Sequence, residues 1–308
     1  MAKIYQQTIS EAAIFDGIGL HSGKKCAVKI LPGTVDQGII FKRIDLKCNN
    51  IVQAKYSKVS SAKLCTTLEN EEGVKVSTVE HLLAALYIVG IDNALIEINS
   101  EEVPIMDGSA KNFIEVLKTK EILSQSKKRK YLKFNKKIEL KDGERKISIE
   151  PNEGSLEIEF HLDYKNKVIG KQENTINFSK SNLNEVVNSR TFCLFKDIEK
   201  IKKAGLAKGG SLDNAVVVDD NKVLNEKGLR NSKEFVNHKI LDLVGDFLLS
   251  GHRIIGKVKC HQGGHELTNM FLRKIFKEES VLNFFELNEI FISKKIKSSS
   301  SVKLAVNA

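Results

Sequence analysis

The sequence predicts an α+β protein of two domains, and three observations carry that expectation. A chain of 308 residues with 41% hydrophobic content is long enough to bury two medium-sized cores. Short strand-like runs, turn signals and separate amphipathic helices recur in both halves, in a similar order but without sequence repeat. The stretch Ser124-Gln-Ser-Lys-Lys-Arg-Lys130 contains no apolar residue and divides the halves as an inter-domain linker would. The domains expected are therefore 1–124 and 131–296, joined by a basic linker at 125–130 and followed by a poorly ordered tail at 297–308.

In chain order, Lys25–Leu31, closed by Pro32-Gly33, and Gly38–Arg43 read as strands. Ser77-Thr-Val-Glu80 has the spacing of a capping box, with Ser77 as N-cap, and Val79, Leu82, Leu83 and Leu86 follow at helical spacing up to Gly90. A strand at Ala94–Asn99 comes next, then a Pro104…Asp107-Gly108 turn and a helix over Ala110–Lys118. In the second half Lys146–Ile149 and Ser155–Leu162 read as strands. The longest helix is expected over Ser232–Ser250 with Gly251 as its stop, and another over Glu266–Phe276.

Bulk properties narrow the function. No apolar run reaches the ~18–20 residues needed to span a bilayer, and the first residues lack the basic and apolar regions of a signal peptide, so a cytoplasmic protein is expected. Five cysteines, an odd number with no C-x-x-C pair, suggest neither a disulfide framework nor a thiolate metal site. A net charge of +10 suits nucleic acid, an anionic membrane surface or a phosphate-bearing substrate. The absence of tryptophan and of a basic motif interleaved with aromatics argues against nucleic acid.

Four segments carry candidate chemistry. Stepping about 100° per residue from the Val79/Leu82/Leu83/Leu86 stripe puts His81 nearly opposite it, as either a partly exposed histidine beside a capping glutamate or a ligand. In the long helix, Val236, Ile240, Leu243, Val244 and Phe247 form an apolar stripe, while His238, Asp242 and Asp246 recur every four residues on the other face. That face is either solvated or a chelating edge, since His and Asp at i and i+4 can bind one metal and His81 would complete a three-ligand site. Gly245 shares the face, as expected where something must approach closely. Gly263-Gly264-His265 places a histidine at a glycine turn before a helix. A helix N-terminus disfavours the imidazolium, so a protonated His265 needs a compensating carboxylate, for which Asp246 is the candidate. Finally, Ser189–Gly210 mixes aromatics with small residues and reads either as the lining of an apolar channel or as ordinary packing.

Together these segments resemble the LpxC-type family of UDP-3-O-acyl-N-acetylglucosamine deacetylases. The resemblance rests on GIGLHSGKK (Gly17–Lys25), STVEHLLAAL (Ser77–Leu86), GIDNALIEINSEEVPIMDGSA (Gly90–Ala110), SRTF (Ser189–Phe192), KGGSLDNAVVVDDNKVLNEKGLR (Lys208–Arg230), FVNHKILDLVGD (Phe235–Asp246) and SGHRIIG (Ser250–Gly256). It implies two α+β domains of similar topology with the site between them, and zinc held by His81, His238 and Asp242, with iron(II) as the alternative in the cell. It further implies acid/base roles for Glu80 and His265, Thr191 near the developing oxyanion, Asp246 behind His265 and Lys239 near the substrate diphosphate. An insert around 192–212 would form the acyl passage, with Phe192, Ile198 and Gly210 in its lining. Tyr164 is the candidate for a uridine-contacting aromatic. The turn here reads His261-Gln-Gly-Gly-His265. The implied activity is hydrolysis of the N-acetyl group of an acylated UDP-amino sugar, the committed step of lipid A synthesis in Gram-negative bacteria, by a monomer with at most peripheral contact with the inner membrane. The alternative is an amidohydrolase of the same fold acting on another N-acylated nucleotide sugar.

Overall fold

The computed structural model describes residues 3–286. The expected tail at 297–308 and the end of the second expected domain lie outside the described residues. The fold is mixed α+β. In the first half, a five-stranded sheet runs in the order Ala13–Ile18, Lys25–Pro32, Ala94–Ile98, Ile39–Arg43, Ile51–Gln53. Its pairs are antiparallel except Ile39–Arg43 with Ala94–Ile98. In the second half, a seven-stranded sheet is organised on Arg253–His261. That strand runs parallel to Lys130–Phe134 and Leu156–Asp163, and antiparallel to Arg145–Glu150. Alternating burial along Ile39–Arg43 and Leu156–Asp163 shows why these residues form strands, since each sheet has one face on the core.

Six α-helices lie among the described residues: α1 (Glu80–Val89), α2 (Lys111–Lys118), α3 (Asn184–Asn188), α4 (Phe195–Lys203), α5 (Glu234–Leu248) and α6 (His265–Lys277). None of them is long and apolar enough to cross a membrane. The central pair is α1 and α5, one from each half. Gly245 lets them meet: an added Cβ would overlap the carbonyl oxygen of Glu80 and crowd the backbone of Ala84. What approaches closely on that face of α5 is thus the backbone of α1. Gly245→Ala is expected to destabilise the protein by about 1–3 kcal/mol through overpacking, seen as a lowered thermal midpoint. A midpoint unchanged from wild type would mean that the helices part without cost.

Two sequence expectations are corrected, and the alternative left open at His81 is decided. Ser77 is not an N-cap: it ends the strand Lys75–Ser77, where its N–H and hydroxyl both donate to the Glu101 carbonyl, and α1 starts two residues beyond the left-handed Thr78. His81 is buried, because α5 covers the side of α1 facing away from the Leu82/Leu83/Leu86 stripe. The segment read as a basic inter-domain linker is mostly the strand Ile122–Lys128, antiparallel to Tyr5–Ile9. None of its side chains is fully buried, and from Ser124 to Lys128 the two-stranded ribbon is held by backbone pairing without apolar residues. The chain then turns at Arg129, whose guanidinium bonds Asp92 and the Gly90 carbonyl beyond α1.

Candidate active site and metal centre

At the start of α1, the buried Glu80 and His81 face the middle of α5. The three periodic residues of α5, His238, Asp242 and Asp246, are buried as well, so its polar face is not a solvated one. Asp242 Oδ1 lies 3.5 Å from His81 Nε2 and 3.4 Å from His238 Nε2. One ligand atom from each of His81, His238 and Asp242 falls within 4.8 Å of the others, the only such cluster of three among the described residues. The rings of His81 and His238 meet edge to face at 5.0 Å.

The electrostatics of this cluster fit a cation. Asp242 Oδ1 and His81 Nδ1 are buried polar atoms without a hydrogen-bond partner, a costly arrangement unless something else binds there. Burial lowers the His238 pKa to about 3, leaving a neutral ring. Its Nδ1, 3.1 Å from the Ser189 carbonyl, is the nitrogen placed to carry the proton, which leaves the Nε2 lone pair bare toward Asp242. Burial alone would raise the Asp242 carboxyl, but its interactions with the adjacent His238 ring and the Lys239 ammonium outweigh that and hold the group well below the usual carboxylate range. Lys239 Nζ donates to Asp242 Oδ2 at 2.9 Å, and that anion keeps the lysine charged against its burial. Two imidazoles and one carboxylate are a donor set that suits a divalent metal with one position left open.

Glu80 and His265 face each other beside the cluster. His265 is the first residue of α6, and Gly264 before it is extended backbone. Its Nδ1 donates to Asp246 Oδ2 at 2.7 Å and its Nε2 lies 3.6 Å from Glu80 Oε1. Burial would lower the His265 pKa, but the anions of Asp246 and Glu80 and the bond to Asp246 raise it to about 10. Burial raises the Glu80 carboxyl above its ordinary value, against the opposing pull of His265 and His81. Thr66, which no spacing in the sequence connects to the site, joins the two acids. Its N–H donates to Glu80 Oε2 at 3.0 Å and its hydroxyl to Asp246 Oδ1 at 2.7 Å.

His81, His238, Asp242, Glu80 and His265 line a cleft of about 360 Å³, which also receives Thr191, Phe192, Tyr164 and Lys239, while Thr66 and Asp246 stay outside its lining, Asp246 behind His265. Thr191 is fixed by its backbone, with its N–H on the Gly108 carbonyl and its carbonyl accepting Val216 N–H, both at 2.8 Å. Phe192 packs against Tyr164 and Phe235 and lies under Lys239 Nζ. Ile198 and Gly210 are not in the cleft. They line a second cavity of about 270 Å³ whose surface is mainly apolar, with Ile201, Leu212 and Val217. Leu20, His21, Leu64, Thr191 and Phe192 belong to both cavities, so the two adjoin. Arg145 and Lys63 add positive charge to the cleft and, like His21, were not picked out by sequence reasoning.

The chain matches the family described as UDP-3-O-acyl N-acetylglycosamine deacetylase over residues 6–277. It is 42% identical over 292 residues to the UDP-3-O-acyl-N-acetylglucosamine deacetylase of Saccharophagus degradans, covering 93% of this chain and 96% of that protein. Proteins of the same name from Idiomarina loihiensis and Geotalea uraniireducens are 40% and 41% identical, over 93% and 92% of this chain and 94% and 92% of theirs.

Proposed function

The chain belongs to the UDP-3-O-acyl-N-acetylglucosamine deacetylase family of metalloenzymes, and on that footing we propose that it hydrolyses the N-acetyl group of UDP-3-O-acyl-N-acetylglucosamine with zinc held by His81, His238 and Asp242. The products are acetate and the free amine, and the reaction is the committed step of lipid A biosynthesis. The observation that carries this reading is the buried three-ligand cluster set beside a carboxylate and a cationic histidine, in a cleft that adjoins an apolar cavity.

A divalent metal held there supplies positive charge that polarises an amide carbonyl and makes a water more acidic. The side chains supply the proton transfers. Glu80, oriented by Thr66, accepts a proton from the water that attacks the acetyl carbon. Thr191, a residue of the cleft wall, supplies its hydroxyl as a donor to the oxyanion that develops. His265, protonated and held by Asp246, delivers a proton to the leaving nitrogen. Lys239 and Arg145 bring cationic charge for a diphosphate, and Tyr164 offers a ring for the uracil base. The cavity lined by Phe192, Ile198 and Gly210 suits the acyl chain, which favours an acylated substrate over an unacylated one.

Acetate release from the acylated substrate, measured after chelation and again after one equivalent of zinc is restored, tests the reading. Activity should vanish and return. Full activity in the chelated protein would remove the metal from the reaction, and none under any metal condition would reject the substrate. The rate should also be bell-shaped in pH. It rises as Glu80 ionises, at a pH above the ordinary carboxylate range because of burial, and falls as His265 loses its proton. The charge of a bound metal moves both limbs to lower pH than in the metal-free protein. A monotonic profile between about pH 5 and 11 would contradict the division of labour between base and acid.

A further inference from the structure

We infer that Glu102 is a positioning residue for the acylated end of the substrate, acting through the loop Gly19–Gly23 that walls both the cleft and the apolar cavity. Glu102 is 1% exposed. Its carboxylate accepts His21 N–H at 2.8 Å and the Thr78 hydroxyl at 3.0 Å on Oε1, and Ser22 N–H at 2.7 Å on Oε2. Among the described residues no lysine or arginine pairs with it, so these three donors hold the buried charge. Consecutive backbone N–H groups form a concavity suited to an anion, and Glu102 fills it from within the chain.

The loop is clasped from its other side by the segment that lines the acyl cavity. The Leu20 carbonyl accepts Gly209 N–H at 3.0 Å and the His21 carbonyl accepts Lys208 N–H at 3.3 Å. The fit is close at both faces. A Cβ on Gly19 would overlap the Glu102 carboxylate, and one on Gly209 would overlap the Gly19 carbonyl oxygen. Leu20 and His21, which belong to both cavities, therefore take their places from Glu102 on one side and Gly209 on the other. The third donor, Thr78, has φ 56° and stands two residues before Glu80, so the same carboxylate ties the loop to the approach into α1. Loosening the loop should disturb acyl recognition more than metal binding, since none of His81, His238 and Asp242 is among the hydrogen-bond donors to Glu102.

The acyl part of this inference rests on the substrate proposed above, and the test separates the two. In Glu102→Gln one oxygen becomes an NH2 group that cannot accept Ser22 N–H or the donors on Oε1. With the full-length, zinc-loaded protein, metal content should stay at wild-type level. Amide hydrogen exchange at residues 20–24 should accelerate about tenfold, and the kcat/KM preference for acylated over unacylated UDP-N-acetylglucosamine should fall about tenfold, the size of one lost charge-assisted hydrogen bond. Gly209→Ala, which crowds the loop from the opposite side, should reduce the same preference and answers the question if the Gln variant does not fold. Equal proportional loss on both substrates, or unchanged exchange in the loop, overturns the inference. A wild-type enzyme with no preference for the acylated substrate would instead reject the proposed substrate, and loop exchange alone would then decide the role of Glu102.

Discussion

His238→Ala is expected to give a folded protein that retains no stoichiometric zinc and no measurable deacetylase activity. Each proposed α5 ligand is set by its neighbours: His238 by the Ser189 carbonyl, Asp242 by Lys239. Removing the imidazole leaves two ligands, too few for the three-protein-ligand arrangement of catalytic zinc. It also leaves no unpaired charge, because burial keeps that ring neutral. Asp242→Asn is a harsher change, since it removes the anion that pairs with the half-buried Lys239 cation as well as a proposed ligand. The histidine variant therefore gives the cleaner reading. A ligand that binds only the folded state raises stability, by about 2.7 kcal/mol at a hundredfold excess over its Kd. Zinc should thus raise the melting temperature of the wild type and leave that of His238→Ala unmoved. A variant that still binds one equivalent tightly would show that His238 is not a ligand.

Much of this site was legible where its residues share one helix. His238, Asp242 and Asp246 follow helical spacing, and since α5 is regular, a rule about neighbouring turns placed them on one face without tertiary information. The need of His265 for a carboxylate was likewise a local argument about a helix N-terminus, and Asp246 meets it. Contacts between distant segments were not legible. Thr66 lies 180 positions from the Asp246 it bonds, and Glu102 lies 81 from His21, so no period or spacing joins them. Local rules also failed where tertiary bonds overrode them. Ser77 and Glu80 have capping-box spacing, but Glu101 claims the Ser77 donors and Thr66 claims the Glu80 carboxylate. The basic stretch at 124–130 misled in the same way, because a strand in a two-stranded ribbon needs backbone partners and not an apolar face. Both failures come from backbone hydrogen bonds formed with residues far away in sequence, a term that composition cannot carry.

Glu80→Gln should lower kcat by about 10²–10⁴ while metal content, KM and fold change little, because the role removed is that of a proton acceptor. The amide is nearly isosteric and its oxygen can still accept Thr66 N–H, so the mouth of α1 and the neighbouring ligand His81 keep their places. What disappears is a negative charge 3.6 Å from His265 Nε2. That charge is one of the two anions that raise the His265 pKa, the other being Asp246. The residual activity should therefore differ in shape as well as size. Its acid limb should be gone, since no carboxylate remains to ionise at position 80, and its alkaline limb should lie at lower pH, since His265 loses a supporting anion. A purely structural role for Glu80 makes the opposite forecast, with reduced metal content and an unaltered profile among the molecules that remain active. An acid limb that persists in Glu80→Gln would assign the titrating base to another group in the cleft.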